Sequence, residues 1–383
     1  MSTADHPSAA RLGRFAGPSA QYAHIEVGPS WWATAASRHS ATRWRANACP
    51  FEETRHSCYF LGQSGAAKLA QLAHMATGTA PVDQILRRLG GQRIVFRGDS
   101  VMRQLAQTVM CQLRRYLTKD GSRWSGPVQG YYGSESNASI CAFPRNRHCY
   151  MEPSCSSFAV EAGSAQATIC YERAPSSGWA DTMDALSSAH PPNVLVFHSG
   201  RAPKPVAELA RLWAAAEPRE AVFRAARAHS TLLLFQQHEP QHYAAADGTY
   251  SSRLAGTASA LCVPPPPYES PTVAIERDHV YGWMDAPHRA LVATHNFSKA
   301  LWWAHTSSAP TPSGQLDCTH WCMPGVPDVW AAEILRVVGM RLGVSWSRSV
   351  LEQIPAPLLL PPPSRESLRM AAGRRLAGLR VAP

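Results

Sequence analysis

An α/β fold with a parallel sheet covered by helices is predicted by three short apolar runs and what lies between them. Arg93-Ile-Val-Phe-Arg97, Pro192-Asn-Val-Leu-Val-Phe197 and Thr231-Leu-Leu-Leu-Phe-Gln236 have the length and β-branched or aromatic content of buried strands. Helical patterns separate them, and a β–α–β–α–β order favours parallel pairing. Gly98-Asp99-Ser100 closes the first run, placing a serine where a strand turns into a helix.

Along the chain, residues 1–43 lack periodicity and are expected to form a loose arm. Residues 44–89 form a cysteine-containing lead-in, with short helices over 66–76 and 82–89 before Gly90-Gly91 punctuates the chain. After the first strand, Val101, Leu105, Val109 and Leu113 recur at intervals of four, so 101–116 reads as a helix with one apolar face. About 120–180 reads as a loop-rich insertion in a catalytic domain spanning 90–354, and 181–186 as a short helix. The Ala- and Leu-rich segment 205–228 is helical but interrupted by Pro218. Four consecutive prolines mark 263–272 as a loop or linker. Val273 then begins a helix, 290–294 is a late strand, and 330–339 is an amphipathic helix following Asp328. Residues 355–383 form a Pro/Arg/Ala-rich tail.

Composition bounds the function. The chain has 383 residues, 45% hydrophobic and 17% charged, which suits a substantial core rather than a disordered chain. Lys and Arg number 37 against 27 Asp and Glu, for a net charge of +10. The positive residues are spread out, with no zinc-finger spacing and no helix-turn-helix signature, which argues against nucleic acid as partner and suits a polysaccharide surface. Several of the 10 cysteines sit in Pro- or Ser-rich sequence, which favours disulfides and an oxidising compartment. A zinc cluster is the rival. Cys318 and Cys322 flank His320, but no second close pair completes the site. The triplets Asn137-Ala-Ser139 and Asn296-Phe-Ser298 agree with a secretory route, whereas the N-terminus shows no signal peptide and no stretch resembles a membrane span.

The chemistry is carried by Ser100 and by Asp317-Cys-Thr-His320. A serine at a helix start has an exposed hydroxyl and backbone N–H groups, its own included, that can meet an oxyanion. It can equally be a plain N-cap. Asp317 and His320 are three apart, so one turn can hold the imidazole by its carboxylate while the other nitrogen faces Ser100. An Asp cap with a solvent-facing His is the plainer alternative.

Gly98-Asp99-Ser100-Val-Met-Arg103 resembles the first block of the PC-esterase group within the SGNH or GDSL superfamily. Asp317-Cys-Thr-His-Trp-Cys-Met-Pro-Gly-Val-Pro-Asp-Val-Trp330 resembles the hallmark block of the plant trichome birefringence-like polysaccharide O-acetyltransferases. The resemblance covers roughly 90–340. It implies an SGNH-hydrolase-like α/β fold and an enzyme of the Golgi lumen or the extracellular cell wall. The implied reaction moves acetyl from a small acyl donor of unknown identity to a polysaccharide or glycoconjugate, with no tightly bound cofactor and no metal. Ser100 would be the nucleophile, His320 the general base and Asp317 its orienting carboxylate.

Asp99 is expected to hold the turn, and Arg103 to reach back toward the site or to cap a loop. His198 stands where plant members carry Asn. With Gly200 it is an oxyanion or supporting candidate, a neutral or charged imidazole still being able to donate a hydrogen bond. Trp302, Trp303 and Trp321 are candidates for stacking on sugar rings. The alternatives to a transferase are a carbohydrate acetyl esterase using the same three residues, and a non-catalytic carbohydrate-binding or wall-scaffolding protein.

Overall fold

The computed structural model describes residues 62–78, 81–113, 116, 154–161, 164–174, 178–199, 206–243, 262–265, 269–305, 317–345 and 349–359. The expected arm, the lead-in before residue 62, Cys49, Cys58, Cys141, Cys149, Asn137, Gly200 and the tail beyond 359 lie outside the described residues.

Helices α1 (Gly62–Gly78) and α2 (Val82–Arg88) precede strand β1 (Arg93–Gly98) and helix α3 (Ser100–Leu113). Then follow β2 (Ser154–Phe158), β3 (Ala167–Arg173), α4 (Trp179–Leu186) and β4 (Val194–Phe197). Next come α5 (Val206–Ala214), α6 (Ala216–Ala228), β5 (Leu232–Gln236) and α7 (Pro271–His279). Strand β6 (Arg289–Val292), α8 (His295–Lys299), α9 (Val326–Arg341), α10 (Val350–Gln353) and α11 (Ala356–Leu359) complete the strands and α-helices among the described residues.

The strands form one sheet in the order β2-β3-β1-β4-β5-β6. All pairs are parallel except β2 with β3. The α/β class is therefore as expected. The loop-rich reading of 120–180 is corrected over 154–173, where two strands join the sheet and β3 pairs directly with β1. Cys155 and Cys170 face each other across the β2–β3 ladder in a disulfide. Ser-rich sequence hides β2, because its partner strand and the cross-link supply what propensity does not, whereas β3, with Thr168, Ile169 and Tyr171, carries a strand signal that the reading of a loop-rich insertion passed over.

Strand alternation separates two cores. Ile94, Phe96, Ile169, Val194, Val196, Leu234 and Val292 face helices α1, α2, α3 and α9. Val95, Cys170, Leu195, Phe197, Leu233 and Phe235 face α4 to α7. Because every second side chain points to each face, a sheet covered on both sides needs continuous apolar runs, as the three predicted strands have. Pro218 does not end a helix. The break falls at Ala215, and Pro218 sits in the first turn of α6, where the missing N–H has no partner to lose. At α7 the Ser270 side chain accepts from Val273 N and Pro271 takes the first helical position.

The second core is largely aromatic. Phe235 meets Phe197 at 5.4 Å and Trp213 at 5.6 Å between ring centroids, both edge to face. Trp179 packs on Trp213 at 4.8 Å. Phe235→Ala should therefore cost about 3–5 kcal/mol. A urea denaturation midpoint unchanged from wild type would show that this cluster collapses around the deletion.

Candidate active site

The chain runs from β1 to one side of the sheet through β3, then returns to β4 on the other side. The carboxyl ends of the parallel strands at such a switch point leave a crevice. Asp99 and Ser100 follow β1 there, His198 and Ser199 follow β4, and Gln237 to Glu239 follow β5.

Ser100 is the first residue of α3 and is partly exposed. Its neighbour Asp99 caps the helix: Val101 N donates to Asp99 Oδ1 at 2.9 Å and Met102 N at 3.4 Å. Those two N–H groups are thereby turned to Asp99, which narrows the oxyanion donors expected at the helix start to Ser100 itself. Tyr171 on β3 steadies the turn, its hydroxyl donating to the carbonyls of Gly98 and Asp99, each at 3.1 Å.

Ser100 Oγ lies 2.8 Å from His320 Nε2. His320 Nδ1 lies 3.0 Å and 2.9 Å from the two carboxylate oxygens of Asp317. A carboxylate only accepts, so Nδ1 carries the proton, and Nε2 offers its lone pair to the serine hydroxyl. Asp317 Oδ1 also accepts from Thr319 N at 3.2 Å and His320 N at 2.9 Å, so one carboxylate shapes the turn and orients the ring. His320 is neither a free surface group nor deeply buried, with 13% of its side chain exposed.

Helix α3 holds this turn directly. Gln104 Nε2 donates to Trp321 O at 2.6 Å, and Trp321 N donates to Gln104 Oε1 at 3.1 Å. Thr108 Oγ1 contacts Met323 Sδ at 3.7 Å, and Gln112 Nε2 donates to Asp328 O at 2.8 Å. Residues 104, 108 and 112 form a polar stripe at intervals of four beside the apolar one predicted from 101, 105, 109 and 113. Sequence reasoning missed Gln104. Its signal was a polar side chain one turn after the serine in a helix that is otherwise buried.

The disulfide Cys262–Cys318 ties the turn to the segment after β5. Cys111 and Cys322 are also disulfide-bonded, and among the described residues no cysteine is free. The zinc alternative for Cys318 and Cys322 is thereby removed, since a disulfide sulfur is not a thiolate ligand.

His198 is fully buried at its side chain. Nε2 lies 3.4 Å from Asp99 Oδ1 and 3.5 Å from Asp99 N, and Nδ1 lies 3.8 Å from Glu239 Oε2. The ring is thus aimed at the peptide before Ser100. It comes this close because Gly98 has no side chain: a Cβ there would stand 2.6 Å from His198 Nε2. Arg103 is buried, with its N–H bonded to Asp99 O at 3.0 Å.

The aromatic candidates need correction. Trp321 is fully buried, with its ring 3.9 Å from His305 and 5.5 Å from Trp330. Trp303 is 5% exposed, with Nε1 donating to Leu359 O at 3.3 Å. Both fill the first core, among the apolar side chains of α9, rather than present a face to sugar. Trp302 is half-buried against the same core.

Behind His198 lies a group the sequence did not single out. Glu276 of α7 is fully buried and accepts from His238 N at 3.0 Å and Tyr281 Oη at 2.7 Å. Burial, reinforced by nearby Glu239 and opposed by hydrogen bonds, pushes its carboxyl up to about 7. Burial also drives the Tyr281 phenol well above its ordinary range, and lowers the His295 imidazole against the pull of its bond to His238 O.

Residues 213–337 match the family model described as PC-Esterase, a GDSL/SGNH-like acyl-esterase family found in Pmr5 and Cas1p. The match contains Asp317 and His320 and begins after Ser100. The resemblance to PC-esterases is thus supported at the family level, as is an acyl-esterase or acyltransferase type of activity. The chain is also similar to Protein trichome birefringence-like 4 of Arabidopsis thaliana, 21% identical over 332 residues, or 74% of this chain and 68% of that protein. No solved structure matches.

Two outcomes test the supports of the site. Gln104→Ala strands both main-chain groups of Trp321 in the interior and should cost about 2–4 kcal/mol, read from the urea midpoint. The raised Glu276 carboxyl holds its proton more tightly in the folded chain than in the unfolded one. It therefore lowers stability as pH rises from 4.5 through about 7, by about 3 kcal/mol in full. Glu276→Gln should flatten that slope in denaturation midpoints taken across the same range; an unchanged slope would assign it to another group.

Proposed function

We propose that this protein is an O-acetyltransferase acting through an acetyl-Ser100 intermediate, with a polysaccharide or glycoconjugate hydroxyl as acceptor. The observation that carries the reading is the hydrogen-bonded line from Ser100 Oγ through His320 to Asp317. In the first half-reaction His320 Nε2 takes the Ser100 proton as Oγ attacks the carbonyl carbon of a small acyl donor. The imidazolium, held by Asp317, then returns that proton to the leaving group. In the second half-reaction His320 takes the proton of a sugar hydroxyl as its oxygen attacks the acetyl carbon. The Ser100–acetyl bond breaks and the serine recovers its proton.

The PC-esterase match and the trichome birefringence-like relative support the acyl chemistry. The choice of polysaccharide as acceptor leans on that relative and on the spread basic charge. The disulfides agree with folding in the secretory pathway, hence a Golgi-lumen or extracellular location. No helix among the described residues is long and apolar enough to cross a membrane. A carbohydrate acetyl esterase is the second reading, favoured by the partial exposure of Ser100 and His320, which lets water reach an acyl-enzyme. A silent scaffold is disfavoured by the aligned Ser100, His320 and Asp317.

Incubation with an activated acetyl ester, followed by mass spectrometry with and without an oligosaccharide panel, tests the proposal. Acetyl should appear on Ser100 of the wild type, be absent from Ser100→Ala, and move to sugar faster than to water. Release only as acetate would establish the esterase. Asp317→Asn should stay folded and lose about three to four orders of magnitude in rate, since its amide mis-sets the imidazole tautomer. Near-normal turnover of either variant would sink the assignment.

A further inference from the structure

Two histidines with no part in the proposed chemistry lie directly behind the one that has it. His242 and His305 are both fully buried. His242 Nδ1 lies 2.6 Å from His305 Nε2, and His305 Nδ1 lies 3.0 Å from the main-chain oxygen of His320. Both rings are clamped. His305 forms a β-bridge with Trp321 and lies 3.9 Å from its indole, while His242 meets the same indole edge-on at 5.7 Å. The backbone of His242 is tied on both sides, its N–H donating to Cys318 O at 3.3 Å and its carbonyl accepting from Val263 N at 2.9 Å. The segment is therefore anchored to both halves of the Cys262–Cys318 disulfide.

With both rings neutral, hydrogen-bond direction places the protons. A carbonyl oxygen can only accept, so His305 Nδ1 carries a hydrogen. In a neutral ring Nε2 is then a lone pair, and its close partner, His242 Nδ1, must be the donor. Protons on both facing nitrogens would set two N–H groups against each other at the 2.6 Å contact. We propose that His242 and His305 form a relay of two neutral imidazoles, each protonated on Nδ1, that fixes the carbonyl of His320 and so positions the ring facing Ser100. Both are positioning residues. This rests on the reading of His320 as the base acting on Ser100.

The proton placement is read first, on the intact protein containing isotope-labelled histidine. Long-range nitrogen–proton NMR spectra should show Nδ1–H tautomers for His305 and His242. His305→Asn keeps a donor at the Nδ1 position and drops the link to His242, whereas His305→Phe drops both. The Phe variant should shift the His320 Nδ1–H resonance and lower kcat for the activated ester about ten- to hundredfold, with KM little changed. The Asn variant should restore most of both. Should the Phe variant fail to fold, His242→Phe takes its place, with a smaller loss in the same direction.

An Nε2–H tautomer at His305, or a Phe variant with unaltered kcat and His320 resonance, would overturn the relay. If the wild type forms no acetyl-Ser100 at all, the proposed function fails. The tautomers and the His320 resonance would still decide whether the pair holds that carbonyl.

Discussion

The arrangement of the site depends on a side-chain-to-backbone contact between elements more than two hundred residues apart. Gln104 closes two hydrogen bonds on the peptide groups of Trp321, one donated and one accepted. Its amide is the one common side-chain group, with that of Asn, able to satisfy a backbone N–H and C=O together. Because Gln104 is one turn from Ser100 and Trp321 is next to His320, the pair sets the serine and the imidazole at a common distance. In the interior, where an unmet N–H or C=O is costly, the alternatives to this docking are poor.

Other contacts converge on the same turn from different sides. Thr319 Oγ1 meets Gln241 Nε2 at 3.1 Å and Tyr243 Oη at 3.0 Å. Cys318 is cross-linked to Cys262, and Cys322 N donates to Ala304 O at 2.9 Å. After the turn, Gly325 N donates to Asp328 Oδ2 at 2.7 Å as α9 begins, and α9 then buries itself against α1 and α3. A site made of a strand-end serine and a loop histidine needs such support, since neither element holds its side chain alone. Asp317 stays close to His320 through local turn geometry, whereas the distance from His320 to Ser100 is purely tertiary.

Beside the serine, past the carboxyl ends of β1, β4 and β5, gather a second imidazole and three carboxylates. His198 lies between Asp99 and Glu239, and Glu276 is held by His238 and Tyr281. His198 is thus accompanied by an acidic lining that could not be anticipated from residue 198. That lining comes from the ends of β5 and from α7, brought together by the parallel order of β4 and β5.

Some of this was legible in the chain itself. The three apolar runs determined β1, β4 and β5, because a strand covered on both faces must be apolar along its whole length. The spacing of Asp317 and His320 determined their contact, since residues three apart in a turn meet without help from the rest of the fold. The junction of Ile94-Val-Phe96 with an amphipathic pattern put Ser100 at a helix start. Only the tertiary structure decided the rest. Strand β2 is held in the sheet by its partner β3 and a disulfide to it, neither visible in a Ser-rich stretch. Trp303 and Trp321 became core rather than surface because they pack with the apolar side chains of α9 in the first core. The roles of Gln104, His242 and His305 arise from hydrogen bonds that cross between 63 and 217 positions of sequence, or 15 for the bond to His320 O. Periodicity reports which face of an element is apolar, but which buried polar atoms find each other is set only when the elements pack.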